Sequence, residues 1–401
     1  MSDGSQSLNM TSVPHPAPHG PCADVFAGQA SSPAPASRLS GVPHGADLSG
    51  APARPNLASR LLLRWLRWQD GRRHKKVVHA PWHSSAHGHD PDAADTNAHG
   101  VRPADDSALS GQVQAHFLRH LRRAMDTPSF PCALSSLPLR KVVSLWVPGA
   151  AGPMRARLFL PRGRVRGAVL YLHGGGFVHC GLNSHHGICC RLARVSGAAV
   201  LLPDYRLAPE HPFPAAVEDA RAALAWLAAL SARHWGGPVG VAGDSAGGNL
   251  AAVLAQDGAA GRGPMPALQL LYYPTLYGKL EFPSHQTYAK GYFLSRRSMA
   301  WYGAQYIQAE KDWDDPCFVP GLAAGLAGLP PAVIVTAQCD PLHDEGYCYA
   351  QALRRAGVRV LYRCYPGALH AFLNFYAFMP HGKAALRLGG RALRKAFHAH
   401  G

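Results

Sequence analysis

The pentapeptide GDSAG at residues 243–247 stands between an apolar run, 239–242, and a helix-like run, 248–256. A G-x-S-x-G pattern between a strand and a helix is typical of a nucleophile elbow, a sharp turn that projects the serine hydroxyl above the sheet. The flanking glycines are needed because a Cβ there would collide with the neighbouring strand and helix. The same pattern also fits an ordinary helix N-terminus that is capped by Ser245. Other motifs in the chain are needed to distinguish a nucleophile from a helix cap at Ser245.

Apolar runs and helix-like stretches alternate from about residue 110 onward. Runs with the pattern of strands lie at 141–147, 155–160, 165–172, 198–202, 239–243, 268–273, 333–337 and 358–365. Stretches with the pattern of helices lie at 113–125, 187–195, 214–230, 245–256 and 295–307. Several of the runs are continuously apolar, which is typical of parallel strands that are buried on both faces. The alternation predicts an α/β fold with a mostly parallel central sheet and helices on both faces.

Residues 275–315 interrupt this alternation with the helix-like stretch 295–307, for which Ser295 is the expected N-cap. We expect this insertion to form part of a helical cap over the sheet. Residues 109–135, which contain the first helix-like stretch, are the other expected cap element. The whole folded domain is expected over residues 109–401.

Residues 1–108 have a different composition from the rest of the chain. Two parts of this leader, 1–56 and 78–108, are rich in Ser, Pro, Ala, Gly and His and contain little Ile, Leu or Val. Such segments bury too little apolar surface to offset the entropy that ordering removes. We therefore expect most of the leader to be disordered.

A basic and apolar stretch at residues 57–76 stands out within the leader. It begins LASRLLLRWLRW and continues with further Arg and Lys residues. A short amphipathic helix of this kind can lie on an anionic membrane surface. It can also pack its Leu and Trp side chains on the folded domain, and we favour packing because those residues suit a buried stripe.

The formal net charge of +16 is spread along the chain and comes with no helix-turn-helix, zinc-finger or RNA-binding motif. We therefore expect no nucleic-acid partner. The nine cysteines form no C-x-x-C pair, so they give no basis for a metal site and predict reduced thiols. The first residues lack the pattern of a signal peptide, and no apolar run is long enough to cross a bilayer. These observations predict a cytoplasmic protein without a metal or cofactor.

Three consecutive glycines in the motif HGGGF, at 173–177, follow the predicted strand 165–172. Without side chains in the way, their backbone N–H groups can point into one concavity, as stabilisation of a tetrahedral oxyanion requires. A flexible turn and a phosphate-binding loop are the alternatives. A phosphate-binding loop would open a helix and carry Lys with Ser or Thr, and this segment does neither. With Ser245 in the same chain, we favour an oxyanion loop.

Two polar clusters are expected to have structural roles. Asp204, Arg206 and Glu210 lie in a proline-rich connection and are expected to pair with one another. A second cluster is expected in an exposed loop that binds no metal, and it consists of His179, His185 and His186.

Five segments of the chain, in this order, resemble the hormone-sensitive-lipase-like family of α/β-hydrolases, in its GDSAG branch. They are HGGGF at 173–177, DYRLAPEHPFPAA at 204–216, GDSAGGNLAA at 243–252, GLPPAVIVTAQCDPLHDEG at 328–346 and YPGALHAF at 365–372. The resemblance extends over roughly residues 110–400. It implies an α/β-hydrolase fold with a helical cap, and a lipase-like serine esterase for small to medium acyl esters that uses no cofactor.

The resemblance also implies the residues of a catalytic triad. Ser245 is the expected nucleophile, Asp340 the acid and His370 the base, in the Ser–Asp–His order of α/β-hydrolases. Asp344 and Glu345 are local alternatives to Asp340. Both alternatives fall at the start of a helix, where a carboxylate interacts favourably with the helix dipole without any catalytic role.

The oxyanion hole that the resemblance implies consists of the backbone N–H groups of Gly175, Gly176 and Ala246. His173 and Gly174 belong to the same motif. In the implied mechanism the histidine takes the serine proton, the serine attacks the acyl carbonyl, and the aspartate supports the imidazolium.

Two positions depart from the family pattern. The acidic residue that is common near position 184 or 185 is absent, and Ala371 replaces the glycine that usually follows the catalytic histidine. The first change affects a contact beside the pocket, whereas the second leaves the triad unaffected.

Three other functions fit the same motifs. An amidase or deacetylase would use the same triad, and a non-catalytic ligand receptor would share the fold but lack a usable histidine, which is present here as His370. A membrane-associated lipid hydrolase would use residues 57–76 as an anchor. The partner that we expect is a small ester substrate. A membrane surface contacted through 57–76 and a second copy of the chain in a homodimer are alternatives that the sequence leaves open.

Overall fold

The computed structural model describes residues 53–64, 106–127 and 138–399. Most of the leader that is expected to be disordered lies outside the described residues. The same is true of residues 65–76 of the basic stretch and of residues 128–135 of the first cap element.

Within the described residues, eight strands form one sheet in the order β1-β2-β4-β3-β5-β6-β7-β8. The strands are β1 (Lys141–Gly149), β2 (Gly152–Leu160), β3 (Ala168–Leu172), β4 (Ala199–Pro203), β5 (Val239–Asp244), β6 (Gln269–Tyr272), β7 (Ala332–Cys339) and β8 (Val360–Leu369). β1 pairs antiparallel with β2, and β2 with β4, whereas the other neighbours are parallel. The predicted α/β fold with a mostly parallel sheet is confirmed.

Helices cover both faces of the sheet. They are α1 (Asp106–Met125), α2 (His186–Ser196), α3 (Ala215–His234), α4 (Ala246–Ala259), α5 (Pro283–Thr287), α6 (Arg296–Tyr306), α7 (His343–Arg355) and α8 (Pro380–Ala399). Successive side chains of β3 alternate between the apolar layer that includes α3, α4 and α7 and the layer that includes α2 and α8. The continuously apolar sequence of β3 therefore supplies both layers, which places this strand in the centre of the molecule.

The sequence patterns do not predict the last helix, α8. Its adjacent glycines, Gly389 and Gly390, lower the intrinsic helix propensity of the segment. Both glycines lie where the helix approaches a neighbour: a Cβ on Gly389 would overlap the hydroxyl of Tyr272, and one on Gly390 would overlap the side chain of Val195. Close packing on β6 and α2 therefore favours a helix that local sequence disfavours.

The prediction that the charged residues of the proline-rich connection pair with one another is wrong. Each pairs with a different part of the fold at 2.6 to 2.9 Å: Asp204 with Arg155, Arg206 with Asp219 and Glu210 with Arg122. The connection is not helical, so side chains that are close in sequence point in different directions. The three pairs instead fasten the connection to β2, α3 and α1.

Residues 53–64, which we call the leader segment, lie against the carboxyl ends of β7 and β8. The N–H of Asn56 and the hydroxyl of Ser59 both donate to the carbonyl of Gly367, at 3.1 and 2.8 Å. Gly367 has a φ of 65° and no room for a Cβ, because Asn56 lies directly against it. This backbone contact joins the leader segment to the strand that leads to His370.

The helical residues 57–64 of the leader segment have two kinds of apolar side chain. Leu62 and Leu63 pack on the folded domain, whereas Leu57 and Leu61 remain 63% and 56% exposed. One side of this short helix therefore packs on the domain, and leucines on its other side remain exposed.

The insertion at 275–315 contains α5, α6 and a short 3₁₀ helix, Glu310–Asp314. Ser295 caps α6 as expected, because its Oγ accepts the N–H of Ser298 at 3.1 Å. The insertion lies beside the loops that follow β3 and β7, and so it forms one wall of the pocket described below.

Candidate active site

Ser245 occupies a sharp turn between β5 and α4. Its backbone angles, φ 53° and ψ −119°, lie outside the regions that non-glycine residues normally adopt. The flanking glycines make the turn possible, since a Cβ on Gly243 would overlap the carbonyl of Gly247, and one on Gly247 would overlap the end of β3. The turn is held on both sides: the N–H of Ser245 donates to Tyr272 at 2.9 Å, and its carbonyl accepts from Asn249 at 3.1 Å.

The serine hydroxyl does not cap the helix. Ser245 stands at the N-cap position of α4, but its side chain makes no capping hydrogen bond. Its Oγ lies 3.0 Å from Nε2 of His370, and Nδ1 of the same ring lies 2.7 Å from Oδ2 of Asp340. Because a carboxylate only accepts, Nδ1 carries the hydrogen and Nε2 is free to accept from the serine. The three residues expected as a triad thus form one connected chain of hydrogen bonds.

The two other carboxylates of this region, Asp344 and Glu345, contact the cap instead. Both lie in the first turn of α7, as expected. Oδ2 of Asp344 accepts the N–H of Ser284 at 2.9 Å, and Oε2 of Glu345 accepts the N–H of Leu276 at 2.6 Å. They hold the cap insertion onto the domain, and within the described residues neither is hydrogen-bonded to His370.

The glycine loop after β3 lies beside Ser245 and lines the same cavity. Gly175 and Gly176 have φ values of 115° and 60°, which side chains strongly disfavour. Within the described part of the chain, the N–H groups of these two glycines donate to no protein acceptor. Ala246 begins α4, where the first N–H groups of a helix lack partners within the helix. None of the three N–H groups expected in the oxyanion hole is therefore hydrogen-bonded to a described protein group, and Gly175 and Gly176 line the cavity.

Asp244, beside the serine, is a buried residue whose role the sequence patterns do not predict. Its Oδ1 accepts the N–H of Gly174 at 3.1 Å and the hydroxyl of Tyr171 at 2.9 Å. Nε2 of His185 lies 3.1 Å from the same oxygen, without the alignment of a hydrogen bond. Burial raises the pKa of Asp244, but His185 and the hydrogen bond from Tyr171 outweigh it and keep the pKa below its usual value. This carboxylate ties the glycine loop to the serine turn.

The expectation that the histidine cluster at 179–186 lies in an exposed loop is wrong. His179 and His185 are buried beneath the glycine loop, at 4% and 1% exposure, and His186 is partly buried against Arg157 at 3.0 Å. The ring of His185 lies beside Tyr171 of the preceding strand β3, and the ring of His179 lies beside Tyr302 of the cap, which is 123 positions away in sequence. Only the tertiary structure shows that this loop is buried and that His179 and His185 line the pocket.

Burial also changes the titration of two histidines here. Burial and the nearby His173 lower the pKa of His179 to about 3. Burial and the nearby His185 lower the pKa of His173 to about 4. Both rings are therefore neutral at neutral pH.

A cavity of about 1130 Å³ lies above Ser245. Its walls are mostly apolar and come from the leader segment, the end of α1, the cap insertion and the loop after β8. Representative lining residues are Leu61, Leu62, Met125, Phe293, Met299 and Phe375. A cavity of this size and character accommodates a small organic ligand with an apolar chain.

No group of three or more His, Cys, Asp or Glu side chains within the described ranges could hold a metal ion. Among the helices that the structure describes, none combines the length and apolar character needed to cross a membrane.

Comparison with known proteins identifies the fold family. A profile of proteins with the alpha/beta hydrolase fold matches residues 169–374, which are 206 of the 401 residues. The chain is 42% identical over 268 residues to the carboxylic ester hydrolase LipN of Mycobacterium tuberculosis, in an alignment that covers 65% of this chain and 70% of LipN. The chain belongs to the hormone-sensitive-lipase-like family of α/β-hydrolases. The resemblance drawn from its motifs is thereby confirmed.

The chain is also similar to other esterases. Carboxylesterase NlhH of Mycobacterium tuberculosis is 42% identical over 236 residues, which are 58% of this chain and 74% of NlhH. The solved structure of an esterase from Pyrobaculum calidifontis has a TM-score of 0.66 and 37% identity, and covers 75% of this chain and 100% of its own. The thermostable carboxylesterase EstE1, from a metagenomic library, has a TM-score of 0.64 and 37% identity, with coverage of 70% and 97%.

The buried neutral state of His179 predicts a loss of stability in acid. Its pKa is about 3 in the folded protein and about 6.5 in an unfolded chain. The unfolded state therefore binds the proton first as pH falls below 6.5, and at pH 5 this favours unfolding by about 2 kcal/mol. We expect His179→Gln to lose about that much less free energy of unfolding between pH 7 and pH 5 than the unsubstituted protein, measured by urea denaturation.

The control for this prediction is His234→Gln, because His234 is exposed at the end of α3. That variant should keep the full pH dependence of the unsubstituted protein. An equal pH dependence in His179→Gln and in the unsubstituted protein would contradict the prediction.

Proposed function

We propose that this α/β-hydrolase is a serine carboxylic-ester hydrolase for small to medium acyl esters, with Ser245 as nucleophile, His370 as base and Asp340 as the orienting acid. The observation that carries the proposal is the pair of short contacts at His370, 3.0 Å to Ser245 and 2.7 Å to Asp340. The names of the relatives, carboxylic ester hydrolase and carboxylesterase, support the reaction class.

The geometry suits a two-step acyl transfer. His370 Nε2 accepts the hydroxyl proton as Ser245 Oγ attacks the ester carbonyl carbon, and Asp340 stabilises the imidazolium that forms. The imidazolium then gives its proton to the leaving alcohol, which leaves an acyl-enzyme. Water enters by the same route, with His370 again as base, and releases the acid.

We further propose that the N–H groups of Gly175, Gly176 and Ala246 bind the oxyanion of each tetrahedral intermediate. Such donors act strongly because they are fixed before the reaction and lie in a site that excludes water. The buried carboxylate of Asp244 supports this role, since it fixes the adjacent Gly174 at 3.1 Å and keeps the loop beside the serine.

The pocket supports acyl groups longer than acetyl. Its volume of about 1130 Å³ and its apolar walls leave room for several methylene groups. Each buried methylene contributes up to about 0.8 kcal/mol to binding until the pocket is filled. The leader segment and the cap insertion both line this space, so they are proposed as the elements that set chain-length preference.

The site bears differently on the two alternative functions, a non-catalytic receptor and an amidase or deacetylase. A non-catalytic receptor is disfavoured because the histidine and the serine already lie at hydrogen-bonding distance. An amidase or deacetylase with the same triad remains the second candidate, because nothing in the triad distinguishes an ester from an amide. The division into a leader at 1–108 and a catalytic domain at 109–401, a cytoplasmic location and a homodimer stay predictions.

The triad proposal predicts a covalent intermediate at Ser245. We expect the unsubstituted protein to release a burst of p-nitrophenol from p-nitrophenyl acetate and to be labelled by a fluorophosphonate. Ser245→Ala should show no burst and no label, with kcat lower by about 10⁶-fold, and Asp340→Asn should lose about 10⁴-fold because the histidine tautomer is no longer fixed. Labelling of Ser245→Ala at the original rate would reject the nucleophile assignment.

The pocket predicts a preference among esters and against amides. We expect kcat/KM to rise along p-nitrophenyl acetate, butyrate and hexanoate, because each added methylene is buried against the apolar walls of the pocket. The matched p-nitroanilide of the best acid should react at least about 100-fold more slowly, since an amide needs stronger protonation of its leaving group. Comparable rates for the anilide would favour the amidase alternative.

The exposed leucines of the leader segment support the proposed contact with a membrane surface. Leu57 and Leu61 are 63% and 56% exposed and alternate with the exposed Arg60 and Arg64. We expect the protein to sediment with anionic vesicles at low salt and less at high salt, because basic residues are drawn to anionic lipid. Leu57→Ser with Leu61→Ser should weaken this binding, whereas the control Leu322→Ser, at another exposed leucine, should not. Equal sedimentation with neutral vesicles, or none at low salt, would count against the contact.

A further inference from the structure

The cap helix α6 touches the glycine loop through Tyr302. The ring of Tyr302 packs directly against Gly176. A Cβ on this glycine would overlap the ring carbons Cγ and Cδ1. Its hydroxyl lies 2.8 Å from Nε2 of His179, the buried histidine beneath the loop. One residue of the cap therefore contacts the loop through both its ring and its hydroxyl.

The backbone of His179 is in turn hydrogen-bonded to the glycine loop. The backbone N–H of His179 donates to the carbonyl of Gly175 at 3.1 Å, and the backbone N–H of Val178 donates to the same carbonyl at 3.0 Å. The carbonyl of Gly175 and the N–H of Gly176 belong to one planar trans peptide group, so they point in opposite directions. Holding the carbonyl toward the backbone of His179 therefore fixes the direction of the N–H of Gly176, a residue that lines the cavity and whose N–H donates to no acceptor among the described residues.

The hydrogen bond between Tyr302 and His179 joins two groups that are both neutral near neutral pH. Burial, together with His173, keeps the pKa of His179 at about 3, so its ring is neutral. Burial also raises the pKa of the Tyr302 hydroxyl, which therefore stays protonated. Two neutral groups at 2.8 Å form one hydrogen bond, whichever of them donates.

The helix that carries Tyr302 is fastened to the rest of the cap. The side chain of Trp301 packs edge-on against Phe117 of α1, with ring centroids 6.0 Å apart. Gln305 accepts a hydrogen bond from Gln114, also in α1, at 3.0 Å. Tyr302 thus projects from an anchored helix, which is what a group needs in order to orient another group.

We propose that Tyr302 is a positioning residue for the oxyanion hole, which acts through His179 to aim the N–H of Gly176 at the reacting carbonyl. This inference rests on the proposed function, because it assumes that Gly176 stabilises an oxyanion. It makes the cap part of the catalytic apparatus as well as a wall of the pocket. A loosened donor should weaken stabilisation of the transition state more than binding of the ester.

The test uses the full chain and substitutions that change little volume. Tyr302→Phe keeps the ring on Gly176 and removes the hydroxyl, and His179→Leu removes both ring nitrogens at similar volume. Complete loss of one oxyanion donor costs roughly 10²- to 10³-fold in kcat, so we expect a misaligned donor to cost about 10-fold, with KM changed less than about twofold. The double variant should lose no more than either single variant, because both remove the same link.

A trifluoromethyl ketone that matches the best acyl chain provides a readout that simple packing would not change. Ser245 Oγ adds to the ketone carbon, its proton passes to His370, and the carbonyl oxygen becomes the oxyanion. The inhibition constant should therefore rise about 10-fold in Tyr302→Phe and His179→Leu, in parallel with the fall in kcat. The control Tyr347→Phe removes a tyrosine hydroxyl on α7, away from the pocket lining, and should change neither value.

Two results would overturn the positioning role: kcat and inhibitor affinity equal to those of the unsubstituted protein in Tyr302→Phe, or a loss confined to KM. If His179→Leu does not fold, which near-ultraviolet circular dichroism detects, His179→Gln replaces it and should keep more activity because the amide can still bond the tyrosine. Failure of the proposed function looks different, because the unsubstituted protein would then bind neither the fluorophosphonate nor the ketone.

Discussion

A single buried carboxylate, Asp244, joins the two loops on which the candidate site depends. It stands at the end of the central strand β5, and its Oδ1 accepts from Gly174 and from Tyr171. Since Ser245 is the next residue, the nucleophile turn and the glycine loop are fixed relative to each other. A charge so deeply buried is retained only where hydrogen bonds and nearby charges offset the loss of water. Here they offset it enough to keep the pKa of Asp244 below its ordinary value.

The remaining parts of the site are added to this centre from distant parts of the chain. β7 and β8 bring Asp340 and His370 to the same edge of the sheet as the serine, because parallel strands end together. The leader segment then bonds to Gly367, three residues before His370, and the cap contacts the glycine loop through Tyr302. The leader segment therefore contacts the strand that leads to His370, and the cap contacts the glycine loop beside Ser245.

Features that depend on local pattern were predictable from the sequence. The eight strands, the strained serine turn and the cap on α6 by Ser295 follow from short apolar runs, flanking glycines and a helix start signal. The helix α8 was not predictable, because its two glycines disfavour a helix until β6 and α2 pack against them. The charged residues of the proline-rich connection were paired wrongly for a related reason: their partners lie on three other elements.

The sequence by itself determined the fold class, the family and the three hydrogen-bonded residues Ser245, His370 and Asp340. Each of these conclusions depends on short contiguous motifs that occur in the family's order. The tertiary structure decided the surroundings of those residues. The burial of His179, the position of Tyr302 against Gly176 and the contact of the leader segment with Gly367 each join residues that are more than 100 positions apart. No local pattern encodes such contacts, since they depend on how the elements pack once the sheet has formed. GDSAG thus indicated which serine to consider, and packing decided what holds the loops around it.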